Sequence, residues 1–352
     1  MAPIFTSVLY KPHQPEFNMW FIVPSIEPGN TLLSILIEEI LMNVISKQVI
    51  TLPDETLWDA LAPQADKTEL IYWPDGEELS FDIKQKVTGI VLPYTHESST
   101  LRKLNEFPNL TWVQTQSTGY DNVLPWLPDG IRLSNAAGVH ASSTAELAIG
   151  LVLASLRNID QAARDMMRET WREQRHRSLA DRSVVVIGTG NIGGAIVRRL
   201  EPFEVNIFRV GRTERLDEQG IIYSLTQLRS LLPQADVVIL TLPLNAETSG
   251  LVNKEFLSTM PDGALLVNVG RGGVVNTNDL LAEVSSGRLY AALDVIEPEP
   301  LPVGHPLWQL PNVLITPHLG GNTSAFAPRI KRLLLDQLHR INKGELPANL
   351  VF

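Results

Sequence analysis

Between residues 183 and 317, six short runs recur: SVVVIG, VNIFRV, DVVILTL, GALLVNVG, YAALDV and VLITP. Each is apolar or β-branched almost throughout, which is how a strand covered on both faces reads. Helix-length segments separate them, and such alternation builds a parallel sheet with right-handed crossovers and helices on both sides. A second series, VITL, ELIYW, TGIVLP, LTWVQTQ and IRLSN, fills residues 49–135, with segments such as PDETLWDALAP that carry a helix-start signal. The pattern therefore predicts an α/β chain with two doubly wound parallel-sheet domains. At 352 residues the chain is long enough for two cores.

Two helices are expected on either side of the 183–317 series along the chain. HASSTAELAIGLVLASLRNIDQAARDMMRETW (140–171) reads as one helix of about nine turns. Ser143 or Thr144 would cap it, with Glu146 in its first turn. AFAPRIKRLLLDQLHRINKG (325–344) is too short to be a domain and should return to the first one. MMRETWREQRHRSLADR (166–182) is mixed in sign and reads as a solvated helix end and loop.

Composition removes several classes of function. The net charge of −10 disfavours a nucleic-acid partner, which needs basic surface. The absence of cysteine removes disulfides and thiolate metal sites, fits a reducing cytoplasm, and leaves no metal centre to expect. TLLSILIEEILMNVI is broken by Glu38 and Glu39, so it reads as an amphipathic helix, not a membrane span. The first residues lack the pattern of a secretory signal.

The chemistry starts at SVVVIGTGNIGGAIVRRL (183–200), where Gly188, Gly190 and Gly193 stand between a strand and a helix. Glycines there allow a tight turn, backbone approach to a pyrophosphate and close helix–strand packing, with Asn191 and Ile192 opening the helix. Its N-terminal N–H groups and dipole then favour phosphate. A dinucleotide is the expected ligand. After VNIFRV, where NAD recognition calls for an acidic residue, the chain has Gly211, Arg212 and Thr213, with Arg215 nearby. A guanidinium in place of a carboxylate suits a 2′-phosphate, so NADP is favoured over NAD.

Three further strand ends carry polar groups. LLVNVGRGGVVN ends on Arg271, AALDVIEPEP offers Asp294, Glu297 and Glu299, and VLITPHLGG ends on His318. Taken singly they read as an ion-paired arginine, loop carboxylates and a capping histidine. In a parallel sheet, however, ligands bind beyond the carboxyl ends of the strands, where the glycine turn also lies. A guanidinium can hold a carboxylate bidentately, and an imidazole can exchange a proton with a hydroxyl or carbonyl oxygen. A carboxylate paired with that imidazole would fix its tautomer. Beside a nicotinamide, these groups describe hydride transfer to a 2-oxo acid, with His318 protonating the developing alkoxide.

From about residue 47 onward the chain resembles the D-isomer-specific 2-hydroxyacid dehydrogenase family. The resemblance is carried by GTGNIG, LPLNAETSGLVNKEFLSTMPDGALLVNVGRGGVVN, AALDVIEPEP, HPLW and LITPHLGG, in order. It implies a Rossmann nucleotide-binding domain (141–321) inserted into a flavodoxin-like substrate domain (46–140 plus 322–352). Residues 1–45 are an extension without a counterpart. The implied activity is NADP(H)- or NAD(H)-dependent reduction of a small 2-oxo acid, such as glyoxylate or hydroxypyruvate, to the D-2-hydroxy acid, and the reverse.

The resemblance also assigns roles. The family's arginine falls on Arg271, its glutamate on Glu299 rather than Glu297, and its acid/base histidine on His318, which also adjoins the nicotinamide. Asp294 and the Val269 carbonyl match contacts at the nicotinamide end. Thr241, Leu242 and Pro243 match the loop that passes beside the adenosine, and Thr248 is a further expected cofactor-binding residue. The N–H groups of Thr118, Gly119 and Tyr120 would meet the substrate carboxylate, and Tyr94, Thr95 and His96 would form the opposite wall. A homodimer held by the long helix is implied as well. Oxidation of another small anion such as phosphite, and a dinucleotide-sensing, co-repressor-like role, remain as alternatives.

Overall fold

The computed structural model describes residues 48–95 and 98–351, together with the backbone of two strands near the N-terminus. Residues 1–48 and 49–352 are separate compact units. In the first, β1 (Ser7–Tyr10) and β2 (Phe21–Pro24) pair antiparallel. The amphipathic helix expected at 31–45 lies outside the described residues, as does His96.

The second unit holds two sheets. The smaller one is made of β3 (Gln48–Leu52), β4 (Thr68–Tyr72), β5 (Gly89–Val91), β6 (Trp112–Gln114) and β7 (Arg132–Ser134), in the order β4-β3-β5-β6-β7. That is the order of a flavodoxin-like doubly wound sheet. Strands β3, β5, β6 and β7 pair in parallel. After β3, Asp54 caps α1 (Glu55–Leu61) by accepting from the Leu57 N–H at 2.8 Å. Two short helices, α2 (Phe81–Lys84) and α3 (Ser99–Arg102), lie between later strands.

The chain then leaves this sheet through α4 (Ala141–Arg157) and α5 (Ile159–Met166). The single long helix expected here is two helices. Asn158 adopts a left-handed conformation (φ 55°, ψ 38°) that ends one and starts the next, a geometry asparagine tolerates better than most residues. Nor do Ser143 and Thr144 cap the helix. Its N-cap is His140, and Ser143 and Thr144 are buried in its first turn.

The larger sheet comprises β8 (Ser183–Ile187), β9 (Asn206–Gly211), β10 (Arg215–Asp217), β11 (Gly220–Ser224), β12 (Val237–Leu240), β13 (Leu265–Asn268), β14 (Tyr290–Leu293) and β15 (Val313–Ile315). Its order is β10-β11-β9-β8-β12-β13-β14-β15, and only β10 runs antiparallel to its neighbour. The sequence pattern anticipates six of these strands and misses the β10–β11 hairpin. A crossover helix needs about ten or more residues, and the interval from β9 to Gly220 is too short to hold one. The chain turns at Gly220 instead (φ 103°).

Helices α6 (Asn191–Leu200), α7 (Leu228–Leu231), α8 (Lys254–Thr259) and α9 (Thr277–Ser285) cover this sheet together with α4. Alternation along β8 shows the double cover. Val184 and Val186 pack with Ile149 and Val152 of α4 and Ile196 of α6, whereas Val185 and Ile187 pack with Leu257 of α8 and Leu280 of α9. Finally, α10 (Phe326–Asn342) returns to the smaller sheet as expected. Its Ile330, Leu334 and Leu338 bury against Ile50, Leu52, Leu61 and Trp112. Among the described residues no helix is long and apolar enough to cross a membrane.

Candidate active site

Strand β8 lies between β9 and β12, so the chain winds outward in both directions from it. The crevice at that switch point is where a ligand of such a sheet binds. Gly188, at the turn, has φ 111°. A Cβ on Gly193 would lie 1.8 Å from the Gly188 carbonyl oxygen, and one on Gly188 would lie 2.3 Å from Thr241 Oγ1. Both positions therefore require glycine. Gly190, the N-cap of α6, meets nothing within 4 Å in the Cβ direction, so the outer side of the turn is open. No side chain caps α6, which leaves the first N–H groups of the helix, at Asn191, Ile192 and Gly193, available to an anion. Thr241 Oγ1 also sits 3.2 and 3.1 Å from the carbonyl oxygens of Ile187 and Gly188, tying the exit of β12 to the turn.

Across the crevice the loop after β12 is rigidly held. Leu242 and Thr248 are buried, and the Thr248 hydroxyl donates to Pro243 O (2.6 Å) while accepting from Asn245 N–H (2.9 Å). Thr248 thus shapes the loop, and Pro243 stays exposed. Val269, buried beyond β13, donates its N–H to Leu240 O at 3.1 Å. Gly270 packs so closely that a Cβ would stand 2.7 Å from Leu242 O.

The end of β9 differs from the expectation in which arginine faces the turn. Around the Cβ position of Gly211 stand Arg215 Nη1, Thr189 Oγ1 and Ile222 Cγ2, each at 3.1 Å. Arg215 donates to Thr189 Oγ1 at 2.8 Å, so its guanidinium lies against the glycine turn. Arg212 points elsewhere and pairs with Glu247 (2.8 and 3.0 Å), both side chains exposed. Thr213 is exposed and gives its carbonyl to Arg215 at 3.2 Å. Arg209, buried within β9, is paired with Asp217 of the β10 hairpin at 2.7 and 2.8 Å. A cavity of about 110 Å³ lies here, lined by Gly188, Thr189, Gly193, Arg209, Arg215 and Asp217.

Arg271 follows β13, and its backbone is bracketed by Asn268. The Asn268 Oδ1 accepts from Gly270 N–H (3.1 Å), and its Nδ2 donates to Arg271 O (2.9 Å). The guanidinium donates from Nη1 to Gly270 O at 2.9 Å and from Nε to Asp121 Oδ1 at 3.0 Å. Its Nη2 rests on Gly119, where a Cβ would fall only 1.2 Å away. Thr118 and Gly119 are held through their carbonyls, which accept from Asn135 Nδ2 (2.9 Å) and Ser117 Oγ (2.6 Å). Among the described residues no protein acceptor takes their N–H groups. Arginine donors and free backbone donors therefore converge beside the residue 119 loop.

His318 has φ 52°, and the fixation of that turn is Asp294's work. The buried Asp294 carboxylate accepts from Thr316 Oγ1 (2.6 Å), Leu319 N–H (2.7 Å) and Gly320 N–H (2.9 Å), and its carbonyl accepts from His318 N–H (2.9 Å). His318 Nδ1 lies 2.6 Å from Glu299 Oε1. A carboxylate oxygen only accepts, so Nδ1 carries a hydrogen toward Glu299. Glu297 is exposed, and its carbonyl accepts from Thr277 Oγ1 at 2.5 Å. Gly272 abuts Ile296, with a Cβ placed 2.2 Å from its carbonyl, so the Arg271 and Glu299 loops touch.

Tyr94 stacks on Phe326 (4.3 Å between centroids), with His140 close by (5.4 Å). His140 Nε2 donates to Gln116 O at 2.8 Å, and burial pushes its imidazole pKa down. Both chain crossings between the sheets meet at this stack, since a Cβ on Gly321 would lie 2.7 Å from both the His140 ring and the Tyr94 hydroxyl.

These features have counterparts in known proteins. The D-isomer specific 2-hydroxyacid dehydrogenase, NAD binding domain, matches residues 149–320. A glyoxylate reductase from Thermofilum pendens is 33% identical over 291 residues, covering 79% of this chain and 85% of that one. The chain belongs to the D-isomer specific 2-hydroxyacid dehydrogenase family. The human glyoxylate reductase/hydroxypyruvate reductase is 35% identical over 253 residues (69% of this chain, 77% of that one). Among solved structures, a family member from Xanthobacter autotrophicus in complex with NADPH and MES has a TM-score of 0.73 at 28% identity, covering 87% of this chain and 98% of that one. An NADPH-dependent glyoxylate/hydroxypyruvate reductase from Sinorhizobium meliloti, in complex with NADP and sulfate, gives 0.73 at 26% identity, with the same coverage. This chain is accordingly an oxidoreductase of the 2-hydroxyacid dehydrogenase type, acting on CH–OH donors with a nicotinamide dinucleotide.

Proposed function

We propose that this dehydrogenase reduces a small 2-oxo acid of the glyoxylate or hydroxypyruvate type to its D-2-hydroxy acid, with NADPH preferred over NADH. What supports this reading is the approach of Arg271 to Gly119, beside the open N–H groups of Thr118 and Gly119, together with the Glu299–His318 pair beyond the Ile296 backbone that Gly272 abuts. Glyoxylate reductases among the relatives support the substrate class.

The glycine turn and the start of α6 fit a dinucleotide, because the close-packed glycines leave the backbone approachable. Gly188–Gly193 would hold the pyrophosphate, Gly211, Thr189 and Arg215 the adenosine ribose, Leu242 and Pro243 the adenine side, and Val269 and Asp294 the nicotinamide end. When bound, the nicotinamide supplies the hydride. Thr118 and Gly119 N–H receive the substrate carboxylate, Arg271 polarises the adjacent carbonyl oxygen, and His318, as the imidazolium with Nδ1–H held by Glu299, gives that oxygen the proton on Nε2 as it gains charge and is left neutral. Glu299 holds the ring so that Nε2 faces the substrate.

The test is a paired NADPH and NADH assay against glyoxylate, hydroxypyruvate and a bulky 2-oxo acid. Tight dinucleotide binding without turnover on any of them would instead favour the sensing role.

Preference for NADPH rests on Arg215 more than on Arg212, since Arg215 stands where a ribose-binding carboxylate would otherwise project from position 211. Arg215→Ala is expected to weaken NADPH about 10- to 100-fold, as loss of a charge-assisted contact would, and NADH far less. Arg212→Ala should cost NADPH only a fewfold. Fluorescence titration of both nucleotides checks this, and equal losses for NADPH and NADH would defeat it.

A homodimer belongs to the same reading. Met166, Met167 and Trp171 are 71%, 80% and 93% exposed at the end of α5, a costly display for a monomer. Arg172 anchors the segment through Asp165 (2.8 Å), so Trp171 is presented outward. The variant Met167→Glu with Trp171→Ala is expected to sediment as a monomer at micromolar concentration where the parent sediments as a dimer.

A further inference from the structure

We infer that Asp121 is a positioning residue for the substrate-binding guanidinium, orienting Arg271 across the cleft from the loop that follows β6. The inference rests on the reading of Arg271 given above. Arginine carries five N–H donors in one rigid plane, so two anchors on that plane fix where the others point. The first anchor is Gly270 O, 2.9 Å from Nη1, which belongs to Arg271's own loop. The second is Asp121 Oδ1, 3.0 Å from Nε, contributed from 150 residues away. With both in place, Nη2 and the second hydrogen of Nη1 are left, and Nη2 lies directly over Gly119. That is the edge beside the open N–H groups of Thr118 and Gly119.

Without Asp121 the guanidinium keeps one anchor only and can swing about its long side chain. The pair is partly exposed (27% for Arg271 and 39% for Asp121), so its worth is directional rather than a large gain in folding stability. The carboxylate also offsets the charge of Arg271. Anion capture at this site then depends on aimed hydrogen bonds, and an unaimed guanidinium would bind a carboxylate in geometries that do not react. Asp121 comes from the smaller sheet's loop and Arg271 from the larger sheet's, so the same contact joins the two sides of the cleft.

The experiment measures KM and kcat for glyoxylate at saturating NADPH, with NADPH affinity by fluorescence and melting temperature alongside, for Asp121→Ala, Asp121→Asn and Arg271→Ala. Asp121→Ala is expected to raise KM about 10- to 100-fold, the loss of one charge-assisted hydrogen bond, with NADPH affinity and melting temperature held. Asp121→Asn keeps an oxygen acceptor for Nε and should recover most of that loss. An unchanged KM in Asp121→Ala, a fall in kcat alone, or an Asp121→Asn no better than Asp121→Ala would overturn the inference. If Arg271→Ala itself kept a normal KM, the reading of Arg271 would fail first. If Arg271→Ala lost saturation while Asp121→Ala did not, only the positioning role would fall.

Discussion

Replacing His318 by glutamine is expected to lower kcat for glyoxylate reduction by about 10²–10⁴-fold, the range for a lost general acid. Glutamine is close in size and still hydrogen-bonds, but it cannot deliver a proton to an alkoxide near neutral pH. The turn should survive, because Asp294 holds it mainly through the backbone N–H groups of His318, Leu319 and Gly320. Dinucleotide affinity should largely survive too. The glycine turn follows β8 and His318 follows β15, four strand spacings apart or about 19 Å, so the pyrophosphate and adenosine contacts are untouched. Steady-state kinetics with an NADPH titration on the same preparation checks both halves. A kcat within tenfold of the parent would remove His318 from the acid/base role. Glu299→Gln should fall between the two, since the neutral amide can still accept from Nδ1 at the position the carboxylate holds at 2.6 Å.

The strands of the larger sheet were legible because burial on both faces leaves little choice of residue, and Val184–Ile187 are buried without exception. The glycine turn was legible for a related reason, as Gly188 and Gly193 leave no space for a side chain. Local pattern fails where the decisive partner is distant. Asp121 reads as an ordinary loop acid until the fold brings it to Arg271, and Asn268 reads as a strand end until its amide is seen to bracket residues 270 and 271. Asp294 was tied by resemblance to the nicotinamide end, and the observed bonds of its carboxylate go to the turn that carries His318. Arg212 and Arg215 are equivalent in one dimension, and only the hairpin shows that residue 215 folds back onto the turn. The break at Asn158 had one available signal, an asparagine in an otherwise unbroken helical pattern. The pattern of apolar residues on both sides of it concealed the stop.

Gly119→Ala is expected to cost kcat/KM at least about 10²-fold, on the scale of an ångström-level displacement of a reacting group's partner. Position 119 is not in the left-handed backbone region, so alanine brings no conformational strain of its own. The added methyl group would lie 1.2 Å from Arg271 Nη2, 2.4 Å from Cζ and 3.1 Å from Nε. The methyl group cannot share that space, and the guanidinium is partly exposed and able to move, so Arg271 yields. Moving it either strains the Asp121 contact or withdraws Nη2 from the substrate, and both raise KM. The melting temperature should change little, because the three atoms nearest the added methyl all belong to the partly exposed Arg271 side chain. The sharper check is a double-mutant cycle. In an Arg271→Ala background there is no guanidinium to displace, so Gly119→Ala should add almost nothing to the loss already present. Additive losses would mean that residue 119 acts on the substrate directly, through its N–H or by crowding the carboxylate. The close packing of Gly119 under Arg271 would then be incidental to catalysis.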